Sequence, residues 1–102
     1  MKIKEILCEE VERVVHERLG GRRYARLQTE GVIESLLEWA ADRVCDAGEL
    51  RLRVIEHGSN VAEGRQQCYR CARRVLTQRE LDRGINQVTT ARRCDFVVQR
   101  HS

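Results

Sequence analysis

Apolar residues recur along the first part of the chain at spacings of three and four. Ile3, Ile6, Leu7, Val11, Val14 and Val15 share one stripe, while Glu5, Glu9, Glu12 and Arg13 lie off it, which predicts an amphipathic helix. Gly20 and Gly21 end it. The basic run Arg22-Arg23-Tyr24-Ala25-Arg26 then reads either as a loop or as the first turn of the next helix. Val32, Ile33, Leu36, Leu37, Ala40 and Val44 make a second stripe, edged by Trp39 and Ala41. This is the densest apolar window, so Leu36 and Leu37 are expected at the centre of the core.

Three segments have the form of a capping box, in which a short polar residue accepts an orphan amide and a glutamate three positions later reaches back. Asp46-Ala47-Gly48-Glu49 predicts a third helix through Leu50, Val54 and Ile55, stopped by Gly58. The competing reading there is a strand, because Leu50, Leu52 and Val54 alternate with Arg51 and Arg53. Asn60-Val61-Ala62-Glu63 opens a fourth helix, and Thr77-Gln78-Arg79-Glu80 opens a short one ending near Gly84. Asp95-Phe96-Val97-Val98-Gln99 reads as a last helical turn or a short strand. The expected fold is therefore mainly α: one domain over residues 1–102, a bundle of four to five short helices. A minor two-stranded element pairing 50–55 with 95–99 is the variant of that fold.

Composition supports helix. There is no proline and aromatic residues are only 4 %, which removes helix breakers and leaves little of the aromatic-rich pattern of sheets. No apolar run approaches the roughly 18 residues needed to cross a bilayer. The N-terminal Met-Lys-Ile-Lys-Glu leads into an acidic amphipathic segment and not into a secretory signal. Five cysteines at irregular spacings, without an export signal, point to reduced thiols in a cytoplasmic protein. Charge is uneven: residues 1–50 carry 8 basic and 11 acidic side chains, and residues 51–102 carry 11 and 5. Arginine supplies 17 of the 19 basic residues, and its planar fork suits carboxylates and phosphates.

The segment Gln66-Gln67-Cys68-Tyr69-Arg70-Cys71-Ala72-Arg73-Arg74 concentrates the candidate chemistry. On a helix, Cys68, Cys71, Ala72 and Val75 share one side, and Arg70, Arg73 and Arg74 lie on the other. Cysteine packs as a small hydrophobe, so the pair belongs to the core on that pattern. The alternative is zinc, which needs two ligands beyond a CxxC pair. Cys45 and Cys94 are the candidates, since 22 residues separate each of them from the nearer cysteine of the pair, and His57 is a third. A redox pair fits less well, because Cys68 falls about two turns inside its helix and not at the N-terminus. No cofactor is otherwise expected.

The stretch Leu76-Thr77-Gln78-Arg79-Glu80-Leu81-Asp82-Arg83-Gly84, continuing to Arg93, resembles a helix-turn-helix. The resemblance implies a turn at Gly84. It also implies a groove-reading helix carrying Gln87, Thr89, Thr90, Arg92 and Arg93, with Gln78 on a phosphate. No nucleophile has an assignable base and no glycine-rich loop follows a strand, so an enzyme is not expected. The leading expectation is a non-catalytic module that binds a macromolecule, an accessory or inhibitory protein of the kind carried by phages and mobile elements. A protein partner would meet Arg70, Arg73 and Arg74, or Arg22, Arg23 and Tyr24. The alternative is an arginine-rich DNA- or RNA-binding regulator, with zinc as a stabiliser. Assembly into a homo-oligomer is compatible with either, and a membrane partner is not expected.

Overall fold

A computed structural model describes the backbone of residues 3–56 and 61–101 and the side chains of residues 5–46 and 62–91. The fold is all-α. The described residues form five helices, α1 (Ile3–Leu19), α2 (Gly21–Thr29), α3 (Ile33–Glu56), α4 (Val61–Val75) and α5 (Gln78–His101). There is no strand among the described residues. Helices α1, α3 and α4 pack on one another, α5 lies against α3, and α2 closes one end over α1 and α3.

The core joins the two stripes seen in the sequence to the cysteine side of α4. Ile6, Val11, Val14 and Val15 of α1, Leu36, Ala40 and Val44 of α3, and Cys68, Ala72, Leu76 and Leu81 are all buried. Each fully buried leucine or isoleucine among them contributes about 1.5–3 kcal/mol. Leu37 is only half-buried and packs on the edge of this cluster, so the centre of the core is Leu36 and not the Leu36-Leu37 pair.

The basic run after the two glycines is a helix of its own. Gly20 sits at φ 80°, a left-handed conformation open to glycine, and breaks the path between α1 and α2. Helix α2 ends in a Schellman motif: the Gly31 amide donates to the Gln28 carbonyl and the Val32 amide to Leu27, each at 3.0 Å, with Gly31 at φ 75°. Val32 and Leu27 are both buried, the apolar contact that accompanies this cap.

Two expected helix boundaries, the start at Asp46 and the stop near Gly84, are absent. Helix α3 runs unbroken through Asp46-Ala47-Gly48-Glu49, so these residues are helix interior and not a capping box. The same continuity makes 50–55 helical, and α5 makes 95–99 helical, which removes the two-stranded element. Alternation of Leu50, Leu52 and Val54 with arginines over so short a span matched both periods, and the helix already under way decided it. The start of α4 at Val61 agrees with the second box, although Asn60 and the proposed stop at Gly58 lie outside the described residues.

The third box forms in half. Thr77 Oγ1 accepts the Glu80 amide at 3.2 Å and starts α5. The Glu80 carboxylate does not return to Thr77. It faces Arg43 of α3 at 2.7 Å, an ion pair by distance though not aligned as a hydrogen bond.

Candidate functional site

Helices α1 and α4 end side by side, and their ends are tied by arginine and glutamine. Arg18 Nη2 donates to the carbonyl of Arg73 at 3.1 Å, and Gln78 Nε2 donates to the carbonyl of Arg18. Carbonyls in the last turn of a helix lack intrahelical donors and carry partial negative charge, so a guanidinium there satisfies both needs. Helix α2 departs from the same end, and its Arg23 pairs with Asp82 of α5 at 3.2 Å. The C-termini of α1 and α4 and the first turns of α2 and α5 therefore meet in one place.

That place is rich in positive charge. Arg22, Arg70, Arg73, Arg74 and Arg79 are exposed on it or one turn away. Among the described residues, ion pairs engage Arg13, Arg23, Arg43, Arg65 and Arg83. None engages Arg22, Arg70, Arg73 or Arg74. The acids nearby are already occupied: Asp82 holds Arg23, and Glu17 accepts the Tyr69 hydroxyl at 2.7 Å. Donation to Glu17 keeps the Tyr69 phenol protonated and pushes its pKa up. The Tyr69 ring lies under two guanidiniums, Arg13 at 4.5 Å and Arg73 at 5.9 Å from its centroid. Tyr69 was absent from the sequence-based candidates. Its flank position between Cys68 and Arg70, on the border between the cysteine and arginine sides, was the available signal.

Tyr24 is buried and not exposed beside its neighbouring arginines. It is buried against α1, with its hydroxyl donating to Glu12 Oε1 at 3.4 Å and its ring 4.5 Å from that of His16. Burial, and after it Glu12, pushes the Tyr24 phenol up. Tyr24 and Leu27, three apart, are the inward side of a nine-residue helix, and that spacing turns the arginines outward. Arg23 is tied to Asp82, which leaves Arg22 as the exposed member of its pair.

The helix-turn-helix geometry does not form. Helix α5 continues through Gly84, where the motif needs its turn, and Gly84 is buried. Gln87 accepts the Trp39 indole N–H at 2.8 Å, and Gln78 is held by Arg18. Thr89 is half-buried and Thr90 exposed on the same continuous helix, while the side chains of Arg92 and Arg93 lie outside the described residues.

Cys68 and Cys71 are buried in the core cluster, as their helical side required. Burial pushes the Cys68 thiol up, and Cys71 and Glu10 add to the shift. Cys45 is exposed on the far side of α3 and is not brought to the CxxC pair. His57 and the side chain of Cys94 lie outside the described residues. Among the described residues no three histidine, cysteine or acidic side chains are placed to hold a metal ion. No described helix is long and apolar enough to cross a membrane.

No protein-family model, curated protein or solved structure matches the chain.

Proposed function

We propose that the chain is a small non-catalytic binding module whose arginine end docks on an acidic surface of a protein partner. The observation that supports this reading is the set Arg22, Arg70, Arg73 and Arg74, exposed and without an ion-pair partner among the described residues. The helices fix the backbone positions of these arginines, so only side-chain freedom is lost when carboxylates meet them. Charges at such a rim mainly steer encounter and fix orientation. An accessory or inhibitory protein acts in that way, by covering a surface.

Phosphates of a nucleic acid are the competing polyanion, favoured by the same four arginines. Two features count against them as the primary partner. The expected reading helix has no turn before it, and the chain as a whole is only +3, with its first half acidic.

The test is the triple variant Arg70→Glu, Arg73→Glu, Arg74→Glu in the full chain. Partner capture from native-host extract should be lost while the fold is kept, with a stability loss of about 1–3 kcal/mol, because Arg73 and Arg74 sit in the last turn of α4 and Arg73 lies over Tyr69. Arg18 would keep its bond, because it is made to the Arg73 backbone carbonyl. Capture that survives the reversal would refute the arginine end as the docking surface. Strong retardation of nonspecific duplex at low salt, vanishing as salt rises, would assign the same surface to nucleic acid.

A further inference from the structure

On the side of the molecule formed by α1 and α3 runs an open groove of about 400 Å³. Leu7 and Cys8 line it from α1, and Leu37, Ala41 and Cys45 from α3, giving a mostly apolar floor. Glu12, Glu38 and Asp42 stand along its edges. We propose that this groove is the docking site for a basic amphipathic helix of another protein.

Charge identifies the occupant. Glu34, Glu38 and Asp42 follow one another at four-residue spacing on α3, all exposed, and like charges so placed repel. Across the groove Glu5 and Glu12 are exposed on α1. Among the described residues the arginines of these two helices turn elsewhere: Arg13 to Glu10 and Glu17, Arg18 to the Arg73 carbonyl, and Arg43 to Glu80. No ion pair among the described residues relieves Glu12, Glu38 or Asp42. Lysines or arginines beside an apolar stripe would neutralise both edges while leucine-class side chains fill the floor, the usual mode of helix-in-groove recognition.

A second copy of the chain does not supply that helix from its described residues. The apolar sides of α2 and α4 are spent on the core, and the outward side of α4 presents Gln66, Arg70, Arg73 and Arg74 without an apolar stripe. Outward positions of α5 are Arg79, Asp82, Arg83 and Asn86, again without one. This surface is separate from the arginine end and selects a partner of opposite charge.

Cys8 and Cys45, free and exposed in the groove, report its occupancy. The probe is a labelled peptide of about 15 residues with leucine on one helical face and lysine on the other, long enough to be helical when bound. The peptide should bind the full chain saturably, one to one, and slow maleimide alkylation of both thiols. Glu38→Lys with Asp42→Lys should weaken binding by about tenfold or more. Ala41→Arg, which fills the floor, should abolish thiol protection even if the charge variant folds poorly. The triple reversal at Arg70, Arg73 and Arg74 should leave peptide binding unchanged, so the two surfaces fail or succeed separately. Unchanged alkylation of both thiols at saturating peptide overturns the proposal. So does equal binding of the same peptide with glutamate in place of lysine. Thiols shielded in the peptide-free protein by its own dimerisation would also overturn it, because the occupant would then be a second copy.

Discussion

The Trp39 indole of α3 lies directly over Gly84 of α5 and donates its N–H to Gln87 at 2.8 Å, one turn further along. A Cβ on Gly84 would fall 2.5 Å from the ring. The Arg43 guanidinium lies 5.0 Å from the ring centroid and pairs with Glu80, so Trp39 and Arg43 on one helix meet Glu80, Gly84 and Gln87 on the other. Gly84 is therefore a packing glycine in mid-helix.

Gly84→Ala should accordingly destabilise the protein. Alanine in a helix interior ordinarily gains about 0.5–1 kcal/mol over glycine. Here the neighbour is a rigid ring, and overpacking costs about 1–3 kcal/mol, which wins. Gly21→Ala is the control: nothing lies within 4 Å of its added Cβ, and the change should be neutral or stabilising. The urea midpoint of Gly84→Ala should fall, while that of Gly21→Ala should hold or rise. A stabilised Gly84→Ala would mean that α5 does not seat against Trp39.

Adjacent leucines on α3 should separate by their sides. Leu36 is fully buried, so Leu36→Ala should cost about 2–5 kcal/mol. Leu37 is half-buried at the groove, and Leu37→Ala should cost about 1–2 kcal/mol. Chemical denaturation of the pair checks the order, and equal losses would place the core differently.

Local pattern carried the helical class, the first two apolar stripes, the break at Gly20 and the Thr77 cap, because each is a property of neighbours in sequence. Asp46, Gly48 and Gly84 have the chemistry of helix ends, yet α3 and α5 run on through them; at Gly84 packing under Trp39 outweighs the local propensity. A glycine that ends a helix and a glycine that admits Trp39 are identical in sequence. Gly31 was not singled out in the sequence, and its Schellman cap shows in the bonds of the Gly31 and Val32 amides to Gln28 and Leu27. For the candidate site, the outward placement of Arg70, Arg73 and Arg74 followed from helical period alone. The acidic groove required knowing that α1 packs beside α3, which no local pattern contains.

Alkaline pH should weaken the fold through Cys68. Its thiol ionises above its ordinary value of 9.0 in the folded chain, because burial disfavours the thiolate. Between the unfolded and folded values the native state binds more protons, so stability falls as pH rises. The contribution is fully present below about pH 9 and is lost as pH climbs through the folded value. Melting temperature should decline above that point, and Cys68→Ala should flatten the decline while costing little at neutral pH. Tyr24, also raised by burial, should add a further fall at higher pH. An identical pH profile in wild type and Cys68→Ala would remove Cys68 as the titrating group.

Glu10 is the one acidic side chain among the described residues that is buried, at 3 % exposure, where α1 faces α4. Arg65 Nη1 stands 3.4 Å from Oε1, and Arg13 Nη1 3.6 Å from Oε2, which has no hydrogen-bond partner among the described residues. Arg65 also holds Glu9, so one guanidinium serves both carboxylates. Removing the cation and removing the anion should then have unequal effects. Arg65→Ala leaves a buried carboxylate with Arg13 alone, which ion-pairs with one oxygen and is itself exposed, and should lower the melting temperature clearly. Glu10→Met removes the buried charge and fills its space, leaving both arginines with Glu9 and Glu17, and should fall within about 1 kcal/mol of the parent or above it. Combining the two changes should recover most of the loss caused by Arg65→Ala, because the stranded charge is gone. Thermal melts of the two single variants and the double variant close the cycle. A double variant as unstable as the sum of the singles would show that Arg65 acts through packing of its stem and not through Glu10.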